Sequence, residues 1–385
     1  MIPRTILQII PRRTSNPDGI GDYAVRLAAG LKERHAISSI FVSGTPGNVH
    51  PPAADEWPTV AVTSRSRNAL FEAISLARRQ APFSAVILHV AGYGYQKRGA
   101  PLWLLQGMRN WRRRHPEVQL VNLLHELYAT GKPWNSSFWL QPLQKYVARE
   151  LWKLSDSGLT TNAREYPELL AWRPAAANHL VLMPVVSNVG EPVETPSIHA
   201  RPARAAIFGA PGTERIYTIH RELLEGAVRE LGIREIVDIG ARLVPPPSDI
   251  GGACVTCQGV QPADVVSREL ADCRYGFLSY ELSLVGKSGV FAAYAAHGII
   301  PICFGSASQP GLNLVPGQHF LTPPLHALDT VALVSMQHAI KTWYRGHDTA
   351  RLTDSVVHLC TNRSALPQQS NRFRVSPACN SIDLP

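Results

Sequence analysis

No run of apolar residues in the chain approaches the ~20 needed to cross a bilayer as a helix, and this excludes a helical membrane span. The start, Met1-Ile-Pro-Arg-Thr-Ile-Leu-Gln-Ile-Ile-Pro11, carries one charge and a strand-length apolar stretch that stops at a proline and Arg12-Arg13. That stretch is too short for a signal-peptide core with its cleavage site, so a cytoplasmic location is expected. Cysteine is scarce and scattered, six residues at Cys254, Cys257, Cys273, Cys303, Cys360 and Cys379, which is no disulfide framework for so long a chain. Cys254 and Cys257 form a lone Cys-x-x-Cys with no second pair and no His-x-x-x-His nearby, so they read as strand cysteines and not as a zinc site. A Walker A loop is absent, because Gly-x-x-x-x-Gly-Lys-Ser requires a glycine where Glu281 stands. A dinucleotide fingerprint is incomplete too: Ala24 follows Gly19 and Gly21 at the third glycine position, and the second strand ends in Val42-Ser-Gly44 without an acidic residue. Without an aromatic-rich RNA-binding strand, a zinc finger or a basic recognition helix, nucleic acid is not expected as a partner.

What remains is a large, moderately hydrophobic chain. With 385 residues, 45% of them hydrophobic, it exceeds what one core organises, and two domains are expected. Its net charge of +9 is unevenly spread: residues 1–190 hold 22 Lys+Arg against 12 Asp+Glu, and the remainder 16 against 17. The excess gathers at Arg12-Arg13, Arg78-Arg79, Lys97-Arg98 and Arg109-Asn-Trp-Arg112-Arg113-Arg114. Such clusters either attract phosphates on lipids or sugar acceptors or are solvated helix faces.

Apolar runs and helical periodicities alternate along the first half. Strands are expected over 5–10, 38–42, 84–90, 119–124, 158–161 and 179–183, and helices over 22–32, 68–79, 102–114, 139–154 and 166–171. The turn-rich segment from Ser187 to Pro196 and on to Pro202 is the expected linker. A second alternation follows, with strands over 205–208, 235–239, around 254–257, 275–279 and 300–304, and helices over 219–231, 263–270, 330–344 and 348–359. The expected organisation is α/β, two doubly wound Rossmann-like domains facing a central cleft: 1–195, 196–345, and a C-terminal segment 346–385 comprising a helix and a loose tail.

Ligands of open α/β sheets bind beyond the carboxyl ends of the strands, so four loops are candidates. In the first, Gly19 and Gly21 permit close backbone approach to a phosphate or sugar; a tight turn with Asp22 as helix cap is the alternative. In the second, His125-Glu126 after the strand over 119–124 suits a sugar hydroxyl or phosphate, or His125 ends the strand and Glu126 pairs with an arginine. In the third, Arg215 beyond Gly209 could clamp a leaving diphosphate, or lie on the surface of the next helix. In the fourth, Glu281 can accept from ribose or sugar hydroxyls, Lys287 can neutralise a diphosphate, and the Ser288 and Gly289 amides can cradle it. There the alternative makes Ser288 a helix cap and Lys287 a solvated side chain.

The order of Gly19-Ile-Gly21-Asp-Tyr-Ala, His125-Glu126, Pro184-Val-Val-Ser-Asn188, Phe208-Gly209, and Glu281 ahead of Ala-Tyr-Ala-Ala-His-Gly298-Ile-Ile-Pro301 resembles the GT-B glycosyltransferases of the retaining family-4 kind. The resemblance spans roughly residues 4–345. It implies an N-terminal acceptor domain, a C-terminal domain that binds a nucleotide-diphosphate sugar as donor substrate without metal or other cofactor, and a helix near Trp343 to Leu359 packing back on the first domain. By the same resemblance, His125, Glu281 and Lys287 are the catalytic candidates, and Gly19, Gly21, Gly209, Arg215, Ser288 and Gly289 border the donor. The acceptor implied is a glycan or an anionic lipid-linked molecule, met at the inner face of a bacterial membrane through the basic first domain. One departure stands out. The family's two glutamates are separated by seven residues, and Gly289 occupies the second position. Gly298, Pro301 and Phe304-Gly305 also resemble the inverting heptosyltransferases of the same fold, and a non-catalytic GT-B protein is the competing expectation.

Overall fold

A computed structural model describes residues 4–14, 18–47, 57–131, 134–209, 211–305 and 311–361. Part of the first glycine loop (16–17), the tail beyond 361 and Cys379 lie outside the described residues. The chain forms two compact units: one runs to Met183 and takes in the segment from Thr349, and the other runs from Pro184 to Asp348.

The first unit is β1 (Thr5–Ile10), α1 (Gly19–His35), β2 (Ser38–Ser43), β3 (Thr59–Ala61), α2 (Arg67–Gln80), β4 (Ala85–Ala91), α3 (Gly92–Tyr95), α4 (Leu102–Arg114), β5 (Gln119–Glu126), α5 (Ser136–Leu154), β6 (Ser157–Thr160), α6 (Tyr166–Trp172) and β7 (Leu180–Leu182). Its seven strands are parallel in the order β3-β2-β1-β4-β5-β6-β7. A parallel sheet is covered on both faces, so its central strands read as nearly continuous apolar runs; every residue of β4, Ala-Val-Ile-Leu-His-Val-Ala, is buried, His89 included. Helix α2 follows the other periodicity: Leu70, Ala73, Ile74 and Ala77 are buried on one stripe, and the Ser66 hydroxyl accepts the Ala69 amide at 3.1 Å to start the helix. Fully buried Trp111 and Trp152 anchor this core, each burial contributing at least ~1.5–3 kcal/mol.

The second unit is β8 (Arg204–Phe208), α7 (Arg215–Thr218), α8 (Arg221–Glu230), β9 (Glu235–Ile239), β10 (Asp249–Ile250), β11 (Ala253–Gly259), α9 (Ala263–Ala271), β12 (Tyr275–Leu278), α10 (Gly289–Ala296), β13 (Ile300–Cys303) and α11 (Thr330–Arg345). The strand order is β10-β11-β9-β8-β12-β13, parallel except for the antiparallel edge pair β10–β11. Cys254 and Cys257 are exposed, unbridged residues of β11. Helix α10 is apolar on all sides, and Phe291 to Ala295 are buried. It lies on the sheet where Gly276 stands: a Cβ there would fall 2.6 Å from the Tyr294 ring. The Tyr294 hydroxyl takes the Phe208 amide (3.2 Å) and reaches the Ala206 and Phe277 carbonyls (3.1 and 3.2 Å).

The chain then returns to the first unit as α12 (Thr349–Thr361), which packs on α1. Gln119 and Ser157 both donate to the Leu359 carbonyl at 3.2 Å, and Asp354 accepts from His35 at 2.8 Å. The two helices expected over 330–344 and 348–359 are α11, which ends at Arg345, and α12, which begins at Thr349.

Candidate functional site

Among the parallel strands of each unit the order reverses once, between β1 and β4 in the first and between β8 and β12 in the second. The loops after those strands diverge there and leave a crevice, the place where open α/β sheets take ligands.

In the first unit Gly19 and Gly21 belong to the first turn of α1 and not to the loop before it. Asp18 is the cap in place of Asp22. Its carboxylate accepts the Gly21 amide at 2.9 Å and two bonds from Arg12, at 2.9 and 2.7 Å, while Asp22 accepts the Asp18 amide at 3.1 Å. This reciprocal capping outweighs the poor helix propensity of glycine, and it occupies one of the amides expected to face a phosphate.

His125 and Glu126 likewise end β5 instead of following it. Val90 pairs with Leu124 and Ala91 with Glu126, so His125 is the extra residue of a β-bulge, a device that re-aims a side chain at a strand end. Its Nε2 lies 3.0 Å from Nδ1 of His89 on β4. His89 Nε2 lies 3.0 Å from Gln8 Oε1 on β1, and Gln8 Nε2 donates to Ser39 Oγ on β2 at 3.0 Å. One polar line therefore crosses four neighbouring strands. Tyr23 stands edge-on to His125 and His89, with ring centroids 5.1 and 6.2 Å away. Burial, and then the neighbouring His125, hold His89 well below the ordinary histidine pKa.

In the second unit the crevice is bordered by Gly209 after β8 and by the segment 281–289 after β12. Gly209 and Gly240 have positive φ, 134° and 136°. A Cβ on Gly240 would strike the Gly209 carbonyl at 2.1 Å, and one on Gly209 would lie 3.1 Å from the Val290 side chain, so glycine brings the two strand ends and the start of α10 together. Arg242 ties them down. It pairs with fully buried Asp238 at 2.9 Å and donates to the Gly209 carbonyl at 2.8 Å, while Tyr217 donates to Asp238 at 2.6 Å. Arg215 opens α7 with an exposed side chain. His220, on the same segment, bonds Ser279 at the end of β12 (3.0 Å) and stacks on Phe304.

The expected loop from Glu281 is largely a 3₁₀-helix over Leu282–Lys287. Exposed Glu281 accepts from the Ser283 hydroxyl at 2.5 Å. Ser288 caps α10, its hydroxyl taking the Phe291 amide at 3.1 Å and its own amide bonding the Val285 carbonyl at 3.0 Å. The Ser288 amide is thereby withdrawn from the expected anion cradle, and the amides of Gly289 and Val290 remain in the first turn. Gly289 faces Asn188: a Cβ there would touch the Asn188 amide carbon at 3.4 Å. Half-buried Lys287 has no ion-pair partner among the described residues.

Two sheets of this topology in one chain define a known architecture. The structure is similar to OtsA in its apo form, with a TM-score of 0.58, 9% identity, and coverage of 93% of this chain and 99% of that one. It is similar also to an alpha-glucosyltransferase in complex with UDP-glucose and DNA containing an abasic site (0.52, 10%, 94% and 96%). The fold is GT-B. A third similar structure, UDP-GlcNAc 2-epimerase from Neisseria meningitidis bound to UDP-GlcNAc (0.55, 9%, 92% and 99%), carries different chemistry on the same scaffold. One of these similar structures holds DNA, so the expectation that nucleic acid is no partner is not borne out by the comparison. No protein-family model matches the chain, and no curated protein matches its sequence.

Gln8, His89, Asp238 and Arg242 were not singled out from sequence. Each is a polar residue in or beside an apolar strand, and that is the signal that could have found them, because a polar side chain buried in a strand requires a partner.

Proposed function

We propose that this protein is a glycosyltransferase that moves a sugar from a nucleotide-diphosphate sugar to a glycan or polyprenyl-linked acceptor, with retention and without metal, in bacterial polysaccharide or glycoconjugate biosynthesis. The observation that carries this reading is the crevice of the second unit, where Gly209, the first-turn amides of α10 and the Lys287 ammonium, which has no ion-pair partner among the described residues, border one topological switch point. Backbone amides at a helix start and a lysine together suit a diphosphate. In this reading Lys287 offsets the charge that builds on the leaving diphosphate, Arg215 assists it, Glu281 accepts from ribose or sugar hydroxyls, and His125 acts near the reacting sugar. Gly19, Gly21, Gly209, Ser288 and Gly289 shape the donor contacts.

An anionic, lipid-linked acceptor is supported by the first unit. Arg67, Arg109, Arg112, Arg113 and Arg114 line an open groove of about 790 Å³. Arg109 and Arg112 are paired with Glu150 and Asp156 at 2.5 Å, whereas Arg67 and Arg113 have no carboxylate partner among the described residues. Next to it α5 exposes Phe138, Trp139, Leu143 and Tyr146, with Trp139 72% exposed. Aromatic and basic side chains in that combination suit a membrane surface carrying anionic lipid. No helix among the described residues is long and apolar enough to cross a membrane.

The test is turnover with UDP-, GDP-, ADP- and TDP-sugars. Lys287→Ala and Glu281→Ala should each lower kcat by at least about 10-fold; unchanged turnover in both would remove the assignment of this loop to the donor. Gly289 in place of the second family glutamate favours a second reading, a GT-B protein that binds a nucleotide sugar without transferring it. Nucleotide binding with neither transfer nor slow donor hydrolysis would decide for that reading.

A further inference from the structure

The polar line from Ser39 through Gln8 and His89 to His125 crosses four neighbouring strands inside a largely apolar sheet. Gln8 and His89 are fully buried and Ser39 is 2% exposed. No carboxylate bonds to His89; its two ring nitrogens meet Gln8 and His125. An uncompensated imidazolium in that position is costly, so His89 is neutral and carries a single N–H. The Gln8 amide nitrogen is committed to Ser39, which leaves the Gln8 carbonyl as acceptor and assigns the His89 proton to Nε2. His89 Nδ1 is then a lone pair, and the bond to His125 requires His125 Nε2 to be the donor. The two imidazole planes are within 9° of parallel, an arrangement that allows in-plane donation at 3.0 Å, and the buried Tyr23 ring stands edge-on to both.

We propose that Gln8 and His89 are positioning residues that fix His125 as its Nε2–H tautomer and hold its ring in one orientation at the end of β5. The line is a lock and not a proton wire, since it ends at buried Ser39. The effect on turnover rests on the transferase reading above, but the tautomer does not. The β-bulge at His125 serves the same end by bringing its inward nitrogen onto His89 at 3.0 Å.

Long-range nitrogen–proton NMR of ¹⁵N-histidine-labelled protein reports the state of each ring nitrogen, and the His125 signals are assigned by their loss in His125→Gln. The expected result is a protonated Nε2 and an unprotonated Nδ1 on both His89 and His125. Gln8→Leu should shift His125 toward a mixture of tautomers. His89→Asn, whose side-chain carbonyl can stand where Nδ1 was, should preserve the lock that His89→Leu loses. In turnover, His89→Leu should lower kcat by about 10-fold or more, within the ~10²–10⁴ that a correctly protonated group supplies, and leave nucleotide affinity within about 2-fold, with partial rescue by His89→Asn. An Nδ1–H His125 in the unaltered protein, or a His125 tautomer indifferent to Gln8→Leu, would overturn the lock. A correct tautomer in a protein with no transferase turnover would leave the lock standing and remove the transferase reading instead.

Discussion

Replacing Tyr294 with phenylalanine deletes one oxygen atom from the centre of the second unit without changing the shape of the ring that fills it. The hydroxyl is buried, accepts the Phe208 amide at 3.2 Å, and shares its single proton between the Ala206 and Phe277 carbonyls at 3.1 and 3.2 Å. Tyr294→Phe therefore forfeits about two bonds and leaves the Phe208 N–H and a carbonyl in an apolar setting, where an orphaned group costs ~1–3 kcal/mol. A total near 2–4 kcal/mol follows, with no cavity contribution because the ring remains. For a unit of this size 1 kcal/mol moves Tm by ~2–4 °C, so its transition should fall by roughly 5–15 °C. Scanning calorimetry is the appropriate assay, because two units unfolding separately are not a two-state system, and only the transition of the second unit should move. The same bonds hold the end of β8 against α10, so nucleotide affinity should weaken in parallel. A shift under about 1 °C, or an equal fall of both transitions, would refute this account of how α10 is seated.

Three further outcomes are expected. Asp238→Asn strands the Arg242 guanidinium, whose side chain is 4% exposed, and should cost ~3–5 kcal/mol in urea unfolding; a loss below ~1 kcal/mol would mean that Arg242 finds water. His297 is held neutral by burial, with nearby Arg201 adding to the effect, and its pKa is pushed down to about 4. The unfolded chain takes up that proton below pH ~6.5 while the native one does not, so stability should fall by ~3 kcal/mol as pH drops from about 6.5 to about 4. His297→Asn should flatten that limb of the pH profile, and an unaltered slope would assign it to other groups. Arg67→Gln with Arg113→Gln should weaken sedimentation with phosphatidylglycerol vesicles several-fold at ~0.1 M salt and have little effect at ~0.5 M; equal binding to phosphatidylcholine would show that charge is not the attraction.

Most of the architecture is legible in the sequence because fully covered parallel strands are mainly apolar runs, and β1, β4 and β9 stand where those runs stand, each with one buried polar residue, Gln8, His89 and Asp238. Elements too short to carry a period were not legible: β3 has three residues, β10 two, and α3 is Gly-Tyr-Gly-Tyr. The start of α1 was obscured by its glycines, whose weak helix propensity is overridden by the reciprocal bonds of Asp18 and Asp22. The loops of the candidate site were legible one by one, since His125 lies at the end of β5, Gly209 follows β8 and the segment from Glu281 follows β12. Its supporting side chains were not. Gln8 and His89 are 81 residues apart in sequence, and only the placement of β4 beside β1 makes one the partner of the other.

The central claim is that the second unit holds a nucleotide diphosphate at the start of α10. The measurement that tests it most directly is a structure with a bound nucleoside diphosphate. The account predicts phosphate oxygens within about 3 Å of the Lys287 Nζ and of the Gly289 or Val290 amides. A nucleotide seated elsewhere in the chain, with Lys287 facing solvent, would contradict it.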